Sequence, residues 1–407
     1  MKIKNILKNE NEKEQNIRFI IMAIICICLF AVAIIPKGLQ NDTFYTIKLG
    51  KLILENGIDM QEHFAWHSGL PYTYPHWLYD VGLYLIYQQF GFNGIYISSI
   101  VLGAILGIVI YLTNAKRTKN IIIPFFLTIL IMYMGSGFMT ARAQLITFIL
   151  FVLTIYFIEM FIETKKKRYV LGLLIIPTII ANVHAAVFPF YFVLYLPYIG
   201  EFLVKVILEF NPITKILLWT DKCSIKSINK KENKTEKEEE VLKTLIERVE
   251  KNEERIKEKN IPELYKIKIS NNKNIKWLLL IFLLALLTGL LTPIGNTPYT
   301  YLINTMKGTT TNNISEHLPI ILYQTKTIFY YLIISILLIT FTKVKIKLSD
   351  VFLFGGLAFL TIMSRRQQSM LLFVGIIVIN RILQQLIDLY DKERSKRNAK
   401  IFNFINR

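Results

Sequence analysis

Long apolar segments dominate this chain of 407 residues and restrict the folds that it can adopt. Hydrophobic residues make up 53% of the sequence, and the mean hydropathy of +0.42 is that of a chain whose main solvent is lipid. A helix that crosses a bilayer needs about 20 predominantly apolar residues. The sequence therefore predicts an all-α polytopic membrane protein with about ten transmembrane helices. The segments are 18–36, 94–113, 120–138, 143–162, 169–185, 186–206, 276–293, 327–342, 349–364 and 368–387.

Basic residues occur on every second connector between these segments, and their positions predict the topology. The basic clusters are Lys2 to Arg18, Lys116 to Lys119, Lys165 to Arg168, Lys343 to Lys347 and Lys392 to Arg397. Because Lys and Arg resist translocation, both termini are expected in the cytoplasm and the net-acidic residues 37–91 outside. The net charge of +19 then reflects orientation in a plasma membrane and indicates no nucleic-acid partner. The first apolar segment has the length of a retained anchor.

Three parts of the chain differ in composition. Residues 1–206 form an N-terminal transmembrane module that contains a long polar outer loop, 37–93, and residues 276–407 form a C-terminal transmembrane module. Between them, residues 207–275 are expected to be a charged cytoplasmic helical insert, because Lys and Glu alternate densely from Lys230 to Lys259. Such a helix is predicted to be solvated and to lie outside the reactive part of the molecule.

The outer loop 37–93 contains two amphipathic segments. Residues 43–56 carry apolar side chains at helical spacing and stop at Gly57, which predicts a short helix. Residues 76–90 are also amphipathic but too short to cross the bilayer, so they are predicted to lie in its interface. These two helices are expected to hold Asp42 next to residues 67–80.

Ionisable side chains at membrane depth are costly and commonly mark function. Here they concentrate at the predicted outer ends of the segments, where all five histidines also lie. A transporter would need some of them near the midplane or on both sides. Their confinement to one face predicts binding or chemistry at the outer leaflet. The candidate substrate-binding residues are His67, His76, Trp77, Asp80, Arg142, His184, Glu316, His317, Arg365 and Arg366.

Asp42 follows the first apolar segment and is the candidate catalytic residue. A partly desolvated carboxylate can act as a general base or hold a cation; the alternative is a helix N-cap before Thr43. His76 and Asp80 are four residues apart and share one helix face. This pair either orients a substrate hydroxyl or a metal ion, or is a salt bridge within an interfacial aromatic belt.

Three arginines stand out at the outer face. Arg142 can bind a phosphate through two parallel hydrogen bonds, or it can snorkel to the lipid headgroups. Arg365 and Arg366 are adjacent on a turn between two spans, a position that the positive-inside bias disfavours. Either a lipid phosphate or the acids of the same face must compensate their charge.

Several short strings at successive outer ends resemble the GT-C superfamily of integral membrane glycosyltransferases, which includes protein O-mannosyltransferases and aminoarabinose transferases. They are PYTYPHWLYDVGLYLIYQQFG, TARAQL, ANVHAAV, LTPIGNTPY, ISEHLP and SRRQQ. The resemblance implies a GT-C-like fold and an inverting transfer of a sugar from a polyprenyl-phosphate carrier to an acceptor at the outer face. It implies a catalytic base at Asp42 and leaves the metal, the sugar and the acceptor open. The alternatives are a polymerase or ligase of lipid-linked glycans, and a non-enzymatic transporter or scaffold of envelope assembly.

Overall fold

The computed structural model describes residues 2–210, 212–229, 235–258, 265–270, 274–307, 314–321 and 323–405. This part of the chain is helical almost throughout. In chain order the helices are α1 (Lys2–Ile34), α2 (Asn41–Asn56), α3 (Trp77–Thr118), α4 (Ile122–Met134), α5 (Ala143–Thr164), α6 (Lys167–Val183), α7 (Phe188–Val193), α8 (Leu196–Phe210), α9 (Pro212–Asn229), α10 (Glu236–Glu258), α11 (Ile275–Leu287), α12 (Thr297–Lys307), α13 (Lys326–Phe341), α14 (Leu348–Met363) and α15 (Gln368–Ile405).

Five helical stretches in the described ranges are long and apolar enough to cross a membrane. They are Lys13–Ile34, Trp77–Thr118, Ala143–Thr164, Ala185–Asn229 and Arg365–Lys392. Four shorter apolar helices, Ile122–Met134, Ile275–Leu290, Lys326–Phe341 and Leu348–Met363, coincide with other predicted segments. The predicted class, an all-α membrane protein, is therefore the one that the structure shows.

The centre of the bundle is α5, which packs against α3, α6 and α15. Most of its residues are buried, as expected for a helix that is apolar on every side. Phe148 of α5 meets Phe373 of α15 with ring centroids 5.0 Å apart. Gly107 of α3 lets Ile27 and Met132 approach its backbone, the close packing that small residues allow between membrane helices.

Two features of α3 position the outer-loop residues. Gly91 has a φ angle of 60°, which kinks α3 between the predicted interfacial segment and the predicted span. The two predicted segments are therefore the two arms of one kinked helix. The first arm packs on α2, where a side chain at Gly50 would collide with the backbone carbonyl of Asp80. This contact holds the middle of α2 against the start of α3, and α2 ends as predicted at Gly57, with φ 79°.

The predicted charged insert contains two helices that pack against each other, α9 and α10. Arg248 donates to Asp221 at 2.8 Å, and Lys222 lies 2.7 Å from Glu253. Residues 230–234 and 259–264, which the prediction of a single charged helix included in part, lie outside the described residues. Near the end of the insert, the two-residue strand β1 (Ile267–Lys268) pairs in parallel with β2 (Ile346–Lys347), which precedes α14.

A cluster of buried charges joins helices at the end of the bundle where α3 and α5 finish. Arg381 on α15 pairs with Glu159 on α5 and with Asp350 on α14. Arg117 Nε lies 3.0 Å from Glu159 Oε2, and the Tyr198 hydroxyl donates to Glu159 Oε1 at 2.9 Å. The expectation that ionisable groups at membrane depth are confined to the other end is therefore wrong. Because removal of one partner would leave an unpaired buried charge, this cluster fixes the packing of these helices.

Candidate active site

Asp42 lies within the first turn of α2, because the helix begins at Asn41 and its N-cap is Gln40. The interpretation of Asp42 as a helix N-cap is therefore wrong. Instead, its Oδ2 accepts a hydrogen bond from Arg142 Nη2 at 2.6 Å. The carboxylate remains 62% exposed in this ion pair, so solvent and ligands can still reach it.

Arg142 is the residue immediately before α5, and the start of that helix fixes its backbone. Its Nη1 lies 3.7 Å from Glu316 Oε1, which is an ion pair too long for a hydrogen bond. Its Nε is buried and has no hydrogen-bond partner within the described ranges. The guanidinium therefore lies between two acids without satisfying all of its donors.

Arg365 and Arg366 form a 3₁₀ turn with Gln367 between α14 and α15. Backbone hydrogen bonds fix the turn against residues 314–321, since Arg366 N donates to Glu316 O at 2.9 Å and Arg365 N donates to Leu318 O at 3.0 Å. Neither guanidinium forms an ion pair with an acid in the portion of the chain that the structure describes. The acids of the same face therefore do not compensate this pair of cations there.

His76, Trp77 and Asp80 lie where α3 begins. His76 Nδ1 is 2.6 Å from Asp80 Oδ1, which confirms that the two side chains share one face, and Asp80 is completely buried. The other nitrogen of His76, Nε2, is thus the one left for a ligand. Trp77 Nε1 donates to Asn182 Oδ1 at 3.2 Å, so its polar group holds α3 to α6.

Two neighbouring cavities bring most of the predicted residues together. The first, called the Asp42 cavity, has a volume of about 100 Å³. The second, called the arginine cavity, has a volume of about 210 Å³. Both are lined by Arg142, Gln144 and Arg366. The Asp42 cavity is also lined by Asp42, Tyr45, His76, Tyr79 and His184, and the arginine cavity by Gln40, Thr140, Glu316, Arg365 and Gln368.

His184 forms the buried wall of the Asp42 cavity. It follows the last residue of α6, and its Nδ1 is 2.9 Å from the hydroxyl of Thr147. Ala185 N donates to Pro75 O at 2.7 Å, which ties this corner to the residue before His76. His184 and His76 therefore line the cavity from two segments that are tied together, and Arg142 and Arg366 also line it.

An apolar groove of about 670 Å³ runs along α3 beside the Asp42 cavity. It is lined mainly by α3 side chains such as Leu83, Ile86 and Val101, with Ile146 of α5. Tyr79 lines both the groove and the Asp42 cavity, so the two spaces meet at its ring. This α3 groove can accept a hydrocarbon chain whose polar end lies in the cavities.

Residues 59–72 form a hairpin next to the Asp42 cavity, with Tyr72 N donating to Met60 O at 2.9 Å. The Tyr45 ring, which lines the cavity, contacts Phe64 of the hairpin at 5.5 Å between centroids. His67 lies exposed in this hairpin and lines neither cavity. The structure thus places His67 apart from the other predicted site residues.

Asp59 anchors the base of this hairpin. Burial acts to raise the pKa of its carboxyl, but hydrogen bonds from the Tyr74 hydroxyl, the Gln61 amide and His63 outweigh burial and lower it. Asp59 is therefore ionised at neutral pH and holds the three partners together.

His317 lies next to the arginine turn and lines neither cavity. Burial lowers the pKa of its imidazole, repulsion from Arg366 lowers it further, and Glu316 opposes both effects. His317 is therefore neutral at neutral pH, although it stands close enough to Arg366 to respond to its charge.

Sequence reasoning missed several residues that line the cavities, among them Tyr45, Gln144 and Tyr79. Tyr45 is one helical turn after Asp42, so the i, i+3 spacing could have placed both on one face. Gln144 is two residues after Arg142 at the start of the same span, and Tyr79 is three after His76. Among the described residues, no group of three or more His, Cys, Asp or Glu converges as a metal site would require.

Comparison with known proteins adds no assignment, since no protein-family model and no curated protein matches the chain. The geometry of the cavities and of the α3 groove is therefore the basis for the function proposed next.

Proposed function

We propose that the protein is an inverting membrane glycosyltransferase of GT-C type that transfers a sugar from a polyprenyl-phosphate carrier to an acceptor hydroxyl. The observation that carries the proposal is Arg366, which like Arg365 has no acidic partner within the described ranges and which lines the Asp42 cavity that meets the apolar groove of about 670 Å³. A ligand with an anionic head and a long hydrocarbon tail matches this combination, because guanidinium groups bind phosphate oxygens and the groove removes apolar surface from water.

The two cavities and the α3 groove together are called the cleft, and each of these parts has a role in this reaction. Arg142 and Arg366 bind the carrier phosphate, and Arg365 adds positive charge to the same cavity. Asp42 accepts the proton of the acceptor hydroxyl while the hydroxyl oxygen bonds to the anomeric carbon of the sugar. The bond from that carbon to the phosphate oxygen breaks, and the arginines stabilise the charge on the departing lipid phosphate. Attack opposite to the leaving group inverts the anomeric configuration.

His76 is well placed to orient the acceptor. Its Nδ1 is committed to buried Asp80, which leaves Nε2 for a hydroxyl in the Asp42 cavity. Tyr45 and Tyr79 supply ring faces to the same cavity. The acceptor hydroxyl would thus bind between His76 and Asp42, on the side away from the phosphate.

The proposal includes a topology with ten crossings in the plasma membrane. The cavities then open to the outside, while both termini and the helices α9 and α10 lie in the cytoplasm, as the basic connectors require. In this arrangement the cleft lies at the outer leaflet, where the sugar of a carrier lipid is on the outside of the cell.

The direct test is incubation of the purified protein with a panel of polyprenyl-phosphate sugars and simple hydroxyl acceptors. The proposal predicts release of polyprenyl phosphate from at least one donor, with inverted configuration in the product. Transfer only to a growing lipid-linked glycan would indicate the polymerase or ligase alternative. Absence of release with the whole panel, in protein that remains folded, would contradict the proposal.

A further inference from the structure

Arg142 is the cation that both cavities share, and it already has an acidic partner. Its Nη2 donates to Asp42 Oδ2 at 2.6 Å, its Nη1 is 3.7 Å from Glu316 Oε1, and its buried Nε has no partner within the described ranges. The guanidinium therefore makes one short hydrogen bond to an acid although it carries five N–H groups. Its contact with Asp42 is a single-point one and lacks the paired geometry that arginine favours.

This contact has a consequence for Asp42. While Oδ2 accepts a hydrogen bond from Arg142, that oxygen is occupied and the carboxylate is turned toward the cation. An acceptor hydroxyl that approaches through the Asp42 cavity can then give its proton only to the other carboxylate oxygen, Oδ1, until Arg142 leaves Oδ2. Asp42 and the phosphate of the sugar donor thus compete for hydrogen bonds from the same guanidinium.

We propose that Arg142 exchanges Asp42 for the phosphate of the sugar donor, so that donor binding frees the second oxygen of the base. The inference rests on the proposed function, because it assigns the exchange to the lipid phosphate. A phosphate at the boundary of the two cavities can accept two parallel N–H bonds from Arg142, which replace the single bond to Asp42. Arg366, which also lines both cavities, binds the same phosphate and needs no exchange.

The exchange makes Asp42 a competitor of the phosphate. Loss of its negative charge should strengthen phosphate binding by about 2- to 5-fold, since the ligand no longer has to break an ion pair with a largely exposed carboxylate. Neutralisation of Glu316, whose contact is longer, should have the same sign and a smaller size. A carboxylate that only repels the phosphate through space would give the same gain in affinity whether or not Arg142 is present.

The test measures the affinity of farnesyl phosphate, a short prenyl phosphate, for the full-length protein in detergent. The variants are Asp42→Asn, Glu316→Gln, Arg142→Gln, the double variant Asp42→Asn with Arg142→Gln, and Glu55→Gln. Glu55 is the matched control, because it lies on the same helix, carries the same charge, lines neither cavity and, among the described residues, forms its ion pair with Lys51, at 3.5 Å. Thermal unfolding of every variant checks that it is folded, and Glu316→Gln gives an independent result if Asp42→Asn is not.

The exchange predicts tighter binding in Asp42→Asn and Glu316→Gln, wild-type affinity in Glu55→Gln, and no gain from Asp42→Asn when Arg142 is already replaced. Unchanged or weaker binding in both acid variants, with wild-type protein still binding the ligand, would overturn the exchange and leave the proposed function standing. A gain that persists without Arg142 would also overturn it. If wild-type protein fails to bind farnesyl phosphate at all, the proposed function fails together with the exchange.

Discussion

Arg366 lines both cavities and has no acidic partner within the described part of the chain, which makes it the most informative single residue of the cleft. Arg366→Ala should weaken binding of a prenyl phosphate by roughly 10-fold or more, because a charge-assisted hydrogen bond is lost. Arg366→Lys should restore only part of the affinity, since an ammonium lacks the planar fork. Titration of the ligand against both variants measures this. Arg168→Ala, a change at the opposite end of the bundle, is the matched control and should bind normally.

His317 gives the cleft a pH dependence. Burial and Arg366 hold its pKa below the usual value near 6.5. A phosphate bound at Arg366 offsets that repulsion and raises the pKa, so binding is accompanied by proton uptake. The affinity gained in this way is fully present below the pKa of the free protein and is lost as the pH rises through the pKa of the complex.

The measurement is phosphate affinity across pH 5.5 to 8 in wild-type protein and in His317→Gln. Because the ligand titrates in the same range, only the difference between the two curves belongs to His317. The wild-type curve should show the larger gain in affinity toward acidic pH, by a few-fold. Parallel curves would show that His317 does not sense the phosphate.

At the residue scale, sequence reasoning could identify the polar side chains but not their partners. Adjacent arginines and a His four residues before an Asp are visible in the sequence, and the structure brings most of them to two cavities. The ion pair of Asp42 with Arg142 spans 100 positions, and no local rule predicts it. His67 was grouped with its neighbours by proximity in sequence, whereas the hairpin carries it away from the cavities.

Among the elements, the helices α9 and α10 stand apart from the cleft. Two ion pairs of described residues, Arg248 with Asp221 and Lys222 with Glu253, join them to each other, and they follow α8 at the end of the bundle where the buried charges lie. Replacement of residues 212–258 by a flexible linker should therefore leave sugar transfer within about three-fold of wild type, because no cavity residue is removed. Transfer rate and thermal unfolding are measured together. Loss of transfer in a deletion variant that unfolds at the wild-type temperature would show that these helices take part in the reaction.

Apolar helices are the elements that the sequence predicts best, because the length of a crossing is set by the bilayer. The kink at Gly91 was visible only as a boundary between two segments of different polarity. The buried charge cluster was missed because Glu159 and Arg381 are 222 residues apart and each looks like an isolated charge near a helix end. Long-range pairing of this kind depends on helix packing, which hydropathy does not encode.

For the whole molecule, the topology is the assumption on which the outer-face chemistry depends. Ser68, exposed in the hairpin 59–72, and Lys243, exposed on α10, lie on opposite sides of the membrane in the proposed arrangement. In a Cys223→Ser background, which removes an exposed thiol, a membrane-impermeant reagent should label Ser68→Cys in intact cells and Lys243→Cys only after lysis. Labelling of Lys243→Cys, and not of Ser68→Cys, in intact cells would show that the true topology is the reverse of the proposed one.

The central claim is that Asp42 removes the proton of an acceptor hydroxyl while arginines hold a lipid phosphate. The measurement that tests it most directly is turnover at saturating donor and acceptor for Asp42→Asn, compared with Glu55→Gln. Asn preserves the size of the side chain and removes its capacity to accept the proton, so turnover should fall by roughly 10²-fold or more, while the control stays near wild type. Wild-type turnover in Asp42→Asn would contradict the account.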